Sequence, residues 1–191
     1  MVPSLPVNGS LSVSALCLLL CGCGASSLER FFPLVDGTVY TYTFTFHGEV
    51  SHPVEARVHR SDARHGELRF RSGPVTAFTF APDGVLLDAR SGSTYVLKLP
   101  LATGTSWSSE SGRPIRIVDT AASIDTPAGH FKGCVQTVEW VLGDKDMPST
   151  HTTTFCPEVG LVQVDMVEVA TGTSDVRQTL TSYAPPVRIR R

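Results

Sequence analysis

From Phe31 onward the chain alternates apolar and polar residues with a period of two. The clearest stretch places Tyr40, Tyr42, Phe44 and Phe46 on one side and Thr41, Thr43 and Thr45 on the other. Successive side chains of a strand face opposite ways, so this pattern predicts a half-buried strand. Val54, Ala56 and Val58 alternate with Glu55, Arg57 and His59, and Leu68 and Phe70 with Glu67, Arg69 and Arg71. After Phe78 and Phe80, Ala81-Pro82-Asp83-Gly84 reads as a turn, with Pro pre-set for the first corner and Gly free to take a positive φ. Val85-Leu86-Leu87 returns from it, followed by Tyr95, Leu97 and Leu99, then Ile115 and Ile117. Thr126-Pro127-Ala128-Gly129 turns into a long strand from His130 to Leu142. Gly143 to Ser149 then reverses the chain into Thr150 to Phe155. Further strands are expected near Leu161 to Val169 and Thr173 to Tyr183, and one helical turn at Ser27 to Phe32. The pattern predicts an all-β fold, a single antiparallel meander of about ten strands forming a curved barrel-like sheet or a sandwich. No composition break divides it, so one domain is expected over 31–184, ending at Pro185-Pro186 with a short basic tail over 185–191.

The N-terminus reads differently. Leu11 to Cys23 is an apolar run, too short to span the ~30 Å hydrocarbon core of a bilayer. It fits the apolar region of a secretory signal peptide, expected over 1–22. Leu20-Cys21-Gly22-Cys23 resembles the lipobox of bacterial lipoproteins, in which the final Cys receives a diacylglycerol and becomes the mature N-terminus. Cys21 stands where Ala or Ser is usual, and Met1 to Leu20 holds no Lys or Arg. The resemblance makes Cys23 the lipidation site and 23–30 a tether. The expected location is the cell envelope, at the periplasmic face of the outer membrane, since Gly24 is not the Asp that bars outer-membrane sorting in enteric bacteria.

Cysteine usage fits export. Of five Cys, Cys17 and Cys21 would leave with the signal and Cys23 would carry lipid. Cys134 and Cys156 remain, an even number for an oxidising compartment. A symmetric turn centred on Lys145 pairs residues equidistant from it: Trp140 with Thr150, Val138 with Thr152, Glu139 with His151 and Cys134 with Cys156. Directly opposed residues in an antiparallel ladder lie about 4.5 or 5.5 Å apart, within reach of a disulfide. The alternative is a pair of free buried thiols acting as small apolar residues.

Composition narrows the function classes. A net charge of −2 argues against a general nucleic-acid binder. A hydrophobic fraction of 41% is too high for a disordered chain. No GxSxG, HExxH, Walker A, GxGxxG or EF-hand loop is present, and no Cys/His cluster has zinc spacing. Neither a cofactor nor a metal is therefore expected, and no catalytic residue is assigned. Asp144-Lys145-Asp146 reads as a solvated turn. His47, His52, His59 and His65 are close in sequence, but strand parity and intervening turns separate them. Glu139 and His151 form a cross-strand pair that needs no catalytic explanation.

Two patches carry a resemblance. Phe32-Pro33-Leu34 with Gly37 and Tyr40-Thr41-Tyr42 is similar to the first strand of small exported bacterial β-rich lipoproteins sometimes labelled TapB-like. Thr126-Pro127-Ala128-Gly129-His130-Phe131 with Cys134, and Phe155-Cys156-Pro157-Glu158-Val159-Gly160-Leu161-Val162, resemble that group's later strand pair. Glu158 replaces the group's usual Gly, and Val39 its Trp. The resemblance implies an all-β envelope lipoprotein of unknown function and carries no catalytic residue. Two functions stay open: a non-enzymatic, lipid-anchored module binding an envelope protein or an apolar ligand, and an envelope hydrolase of unrecognised type. In the first, Tyr40, Tyr42, Phe44 and Phe46 are candidate binding-face aromatics.

Overall fold

The computed structural model describes residues 27–71, 73–142 and 148–186. The signal segment, Cys23, the Asp144-Lys145-Asp146 turn and residues 187–191 lie outside them. A short helix, α1 (Ser27–Phe31), precedes thirteen strands: β1 (Val39–Phe46), β2 (Glu49–Val50), β3 (Val54–Arg60), β4 (His65–Phe70), β5 (Val75–Ala81), β6 (Gly84–Ala89), β7 (Gly92–Lys98), β8 (Ser106–Ser108), β9 (Pro114–Thr126), β10 (Gly129–Leu142), β11 (Pro148–Cys156), β12 (Gly160–Glu168) and β13 (Ser174–Ala184). Residues 27–30, expected in the tether, lie in α1, where Leu28 buries its side chain.

All thirteen strands join one antiparallel sheet in the order β7-β6-β5-β4-β3-β1-β13-β12-β11-β10-β9-β8, with β2 pairing beside β1. The meander expected from the alternation is present, and β1 also pairs with β13 along Val39↔Ala184 to Phe46↔Val176. That pairing joins the chain's two ends and curls the sheet into a nearly closed barrel, not a sandwich. The extra strands are short: β2 has two residues and β8 three, too few to show a period.

One end of the barrel is filled by its own N-terminus. The turn closed by Phe32 N–H donating to Leu28 O at 2.8 Å sends Phe32, Pro33 and Leu34 into the interior where β1 begins and β13 ends. The Phe32 ring lies 4.9 Å from Phe78 and 5.9 Å from Phe155, contacts that stabilise beyond simple area burial. Leu34 packs on β4 at Gly66, where a Cβ would come within 2.8 Å of Leu34 Cδ1, so the close approach needs glycine. Glu158 N–H donates to Arg30 O at 2.7 Å, tying α1 to the β11–β12 turn. The Tyr40 hydroxyl donates to Val159 O at 3.0 Å and Tyr42 to Leu161 O at 3.1 Å, linking β1 to the start of β12.

The β10–β11 hairpin pairs Val135↔Phe155 through Leu142↔Pro148, with Glu139 opposite His151 and Trp140 opposite Thr150. This is the register of a symmetric turn about Lys145. One step below the ladder, Cys134 and Cys156 are disulfide-bonded, fully buried, with Cα atoms 4.2 Å apart.

Candidate binding cavity

Above the plug the interior is not filled. A cavity of about 680 Å³ occupies the other half of the barrel, within the size range of small-molecule sites. Its floor is Phe32, Phe78, Phe155 and Leu161, with Leu87 and Ile115 on the sides. Strand parity sets the rest: on β10 the positions sharing the face of buried Val135 are Thr137 and Glu139, and on β11 those sharing the face of Phe155 are Thr153 and His151. Thr76 of β5 and Thr94 of β7 add two more hydroxyls, and Ser109, Glu110 and Ser111 from the β8–β9 turn form the rim. Apolar surface with a few placed polar groups results.

Glu139 and His151 are the charged or titratable pair of the wall. His151 Nδ1 lies 3.9 Å from Glu139 Oε2, a Coulombic contact longer than a hydrogen bond. Burial lowers the His151 pKa below its usual value, outweighing the carboxylate that raises it, so the ring is neutral at pH 7. Among the described residues, Thr94 Oγ1 is a buried side-chain oxygen without a hydrogen-bond partner, and it sits on the cavity wall. None of the residues lining the cavity is Lys or Arg.

The cavity also reaches the barrel's seam. No ladder joins β7 to β8. Two side-chain contacts bridge them instead: the Trp107 indole N–H donates to Tyr95 O at 2.8 Å, and the Ser91 hydroxyl donates to Glu110. Thr94, Tyr95 and Val96 border the cavity along this seam.

The aromatic stripe is divided. Tyr40 and Tyr42 are buried in the packing around Phe32 and Leu34, and burial raises both phenol pKa values. Phe44 and Phe46 stack on each other with centroids 6.2 Å apart, and Phe46 is half exposed. None of the four borders the large cavity. The histidines close in sequence do not converge: His59 lies 3.5 Å from Asp36, and His65 lies 2.9 Å from Asp62. The Asp62 carboxyl is held down at about 2 by hydrogen bonds from His65 and the Arg64 backbone. No cluster of His, Cys, Asp or Glu among the described residues has the geometry of a metal site. Sequence reasoning found the Glu139–His151 pairing but missed Thr76, Thr94, Thr137 and Thr153. The available signal was their parity with buried neighbours.

Neither a protein-family model nor a curated protein matches the chain. Among solved structures it is similar to a candidate lipoprotein from Parabacteroides distasonis, at 15% identity over 81% of this chain and 98% of the other, with a TM-score of 0.49. It is also similar to a candidate exported protein with a YmcC-like fold from Bacteroides fragilis, at 12% identity over 81% and 99%, with a TM-score of 0.55. At that identity the second likeness is one of fold, and the nearly closed barrel shares it.

Proposed function

We propose that the protein is a lipid-anchored cell-envelope lipoprotein acting as a non-enzymatic binding module that takes a small apolar or amphipathic molecule into its interior cavity. The cavity carries this reading: about 680 Å³ of space above an aromatic floor, in a barrel whose other end is filled by buried side chains. Its hydroxyls and single acid–base pair suit orienting a ligand. Support for the envelope comes from the buried disulfide, which suits an oxidising compartment, and from the shared fold with a protein named as exported. The TapB-like sequence patches point the same way. Ser27 enters at the plugged end, and the four residues back to Cys23 reach at most about 14 Å. An anchor at Cys23 therefore sets the plugged end against the membrane and turns the rim away from it, into the aqueous compartment.

Two measurements test the reading. Protein expressed in a lipoprotein-processing bacterium partitions into detergent, and Cys23→Ser moves it to the soluble fraction; an unlipidated wild-type protein contradicts the anchor. Pyrene, an uncharged fluorophore, binds saturably at one site, and Thr153→Phe, which places a ring in the cavity, abolishes that binding while leaving the fold intact. Unsaturable binding, or binding indifferent to Thr153→Phe, contradicts the cavity as the binding site.

A further inference from the structure

We infer that the cavity selects amphipathic cations, molecules with an apolar body and a protonated amine, over the corresponding alcohols and acids. This rests on the reading of the cavity as a binding site and adds the chemistry of its ligand. The walls hold two carboxylates, Glu139 inside and Glu110 at the rim, and no Lys or Arg. Glu110 accepts the Ser91 hydroxyl, whereas Glu139 lies deeper, its side chain 17% exposed. Its cross-strand neighbours in the ladder are Ile115 and His151, so neither side supplies a permanent positive charge. A carboxylate in such surroundings has lost much of its hydration without gaining a close cationic partner. An ammonium group supplies that partner and three N–H donors, which the Thr137 and Thr153 hydroxyls beside Glu139 can also accept. The apolar body then lies on Phe32, Phe78 and Phe155, below Glu139 and His151. A carboxylic acid in the same pose sets a second anion against Glu139 with no cation to offset it.

The water-soluble series phenylbutylamine, phenylbutanol and phenylbutyrate holds the apolar body constant and changes only the head group. Calorimetric titration of the mature lipoprotein in neutral detergent is expected to rank them amine, alcohol, acid, with the amine about tenfold tighter than the alcohol. Glu139→Gln should bring the amine to the alcohol's affinity, erasing the tenfold gap between them. If that variant fails to fold, the wild-type chain still decides: added salt should weaken amine binding and spare the alcohol. Phenylbutyrate binding as tightly as the amine overturns the inference, as does an amine preference that survives Glu139→Gln or ignores salt. Pyrene bound without any of the three also overturns it, whereas failure of pyrene and all three ligands overturns the binding-site reading itself.

Discussion

The two ends of the barrel are built from the same strands and differ in what fills them. At the plugged end, Phe32 and Leu34 enter from outside the sheet and Tyr40 and Tyr42 close around them, while the buried Cys134–Cys156 bond ties β10 to the end of β11. The Tyr40 and Tyr42 hydroxyls there are bonded to backbone carbonyls. At the open end, the same inward parity on β10 and β11 carries Thr137, Glu139, His151 and Thr153, and among the described residues no segment fills the space beside them. Packed interiors resist loss of a side chain, whereas a wall facing a void loses little. Stability is thus concentrated at the plugged end, and the proposed binding site lies at the other.

Substitutions at the two ends should show that asymmetry. Phe32→Ala removes the ring that contacts Phe78 and Phe155, and denaturant unfolding is expected to show a loss of about 3–5 kcal/mol. Thr153→Ala, on the cavity wall, should change stability by less than about 1 kcal/mol. Equal losses would erase the distinction. Cys134→Ser with Cys156→Ser should cost about 2–4 kcal/mol by the same measurement, and non-reducing peptide mapping of the wild type should return a linked pair.

High pH probes the plugged end through its two buried phenols. Tyr40 and Tyr42 keep their protons in the folded state well above the ordinary phenol value of 10.0, because burial disfavours the phenolate. The unfolded chain ionises near 10.0, so above that pH it binds fewer protons than the native chain and stability falls. Absorbance titration should show Tyr40 and Tyr42 ionising only together with unfolding; early ionisation of both would place them outside the core. A smaller effect than at the plug is expected at the seam. Trp107→Phe keeps the ring and removes the N–H donated to Tyr95 O, at a cost of about 1 kcal/mol. Hydrogen exchange should rise along β7 and stay unchanged along β1 and β13.

The strands were legible because a half-buried sheet leaves a period of two, plainest at Tyr40 to Phe46. The Pro82-Asp83 turn and the β10–β11 register were legible too, since local turn chemistry and symmetry set both. Closure was not: Val39 pairs with Ala184, and no local signal links two ends of a chain. The plug was hidden for the same reason, because Phe32 gains its meaning from Phe78 and Phe155, far away in sequence. The Glu139–His151 pairing could be read, but not the cavity beside it. A void depends on which inward side chains from seven strands stop short of one another, and Thr76, Thr94, Thr137 and Thr153 look in sequence like ordinary solvent-facing residues.

The space between Phe32 and Glu139 is the proposed ligand site. A crystal structure of the protein soaked with pyrene tests it most directly. Density for one pyrene is expected on the Phe32–Phe78–Phe155 floor, below Glu139 and His151. Pyrene bound only elsewhere, or side chains from the seam collapsed into that space, would contradict it.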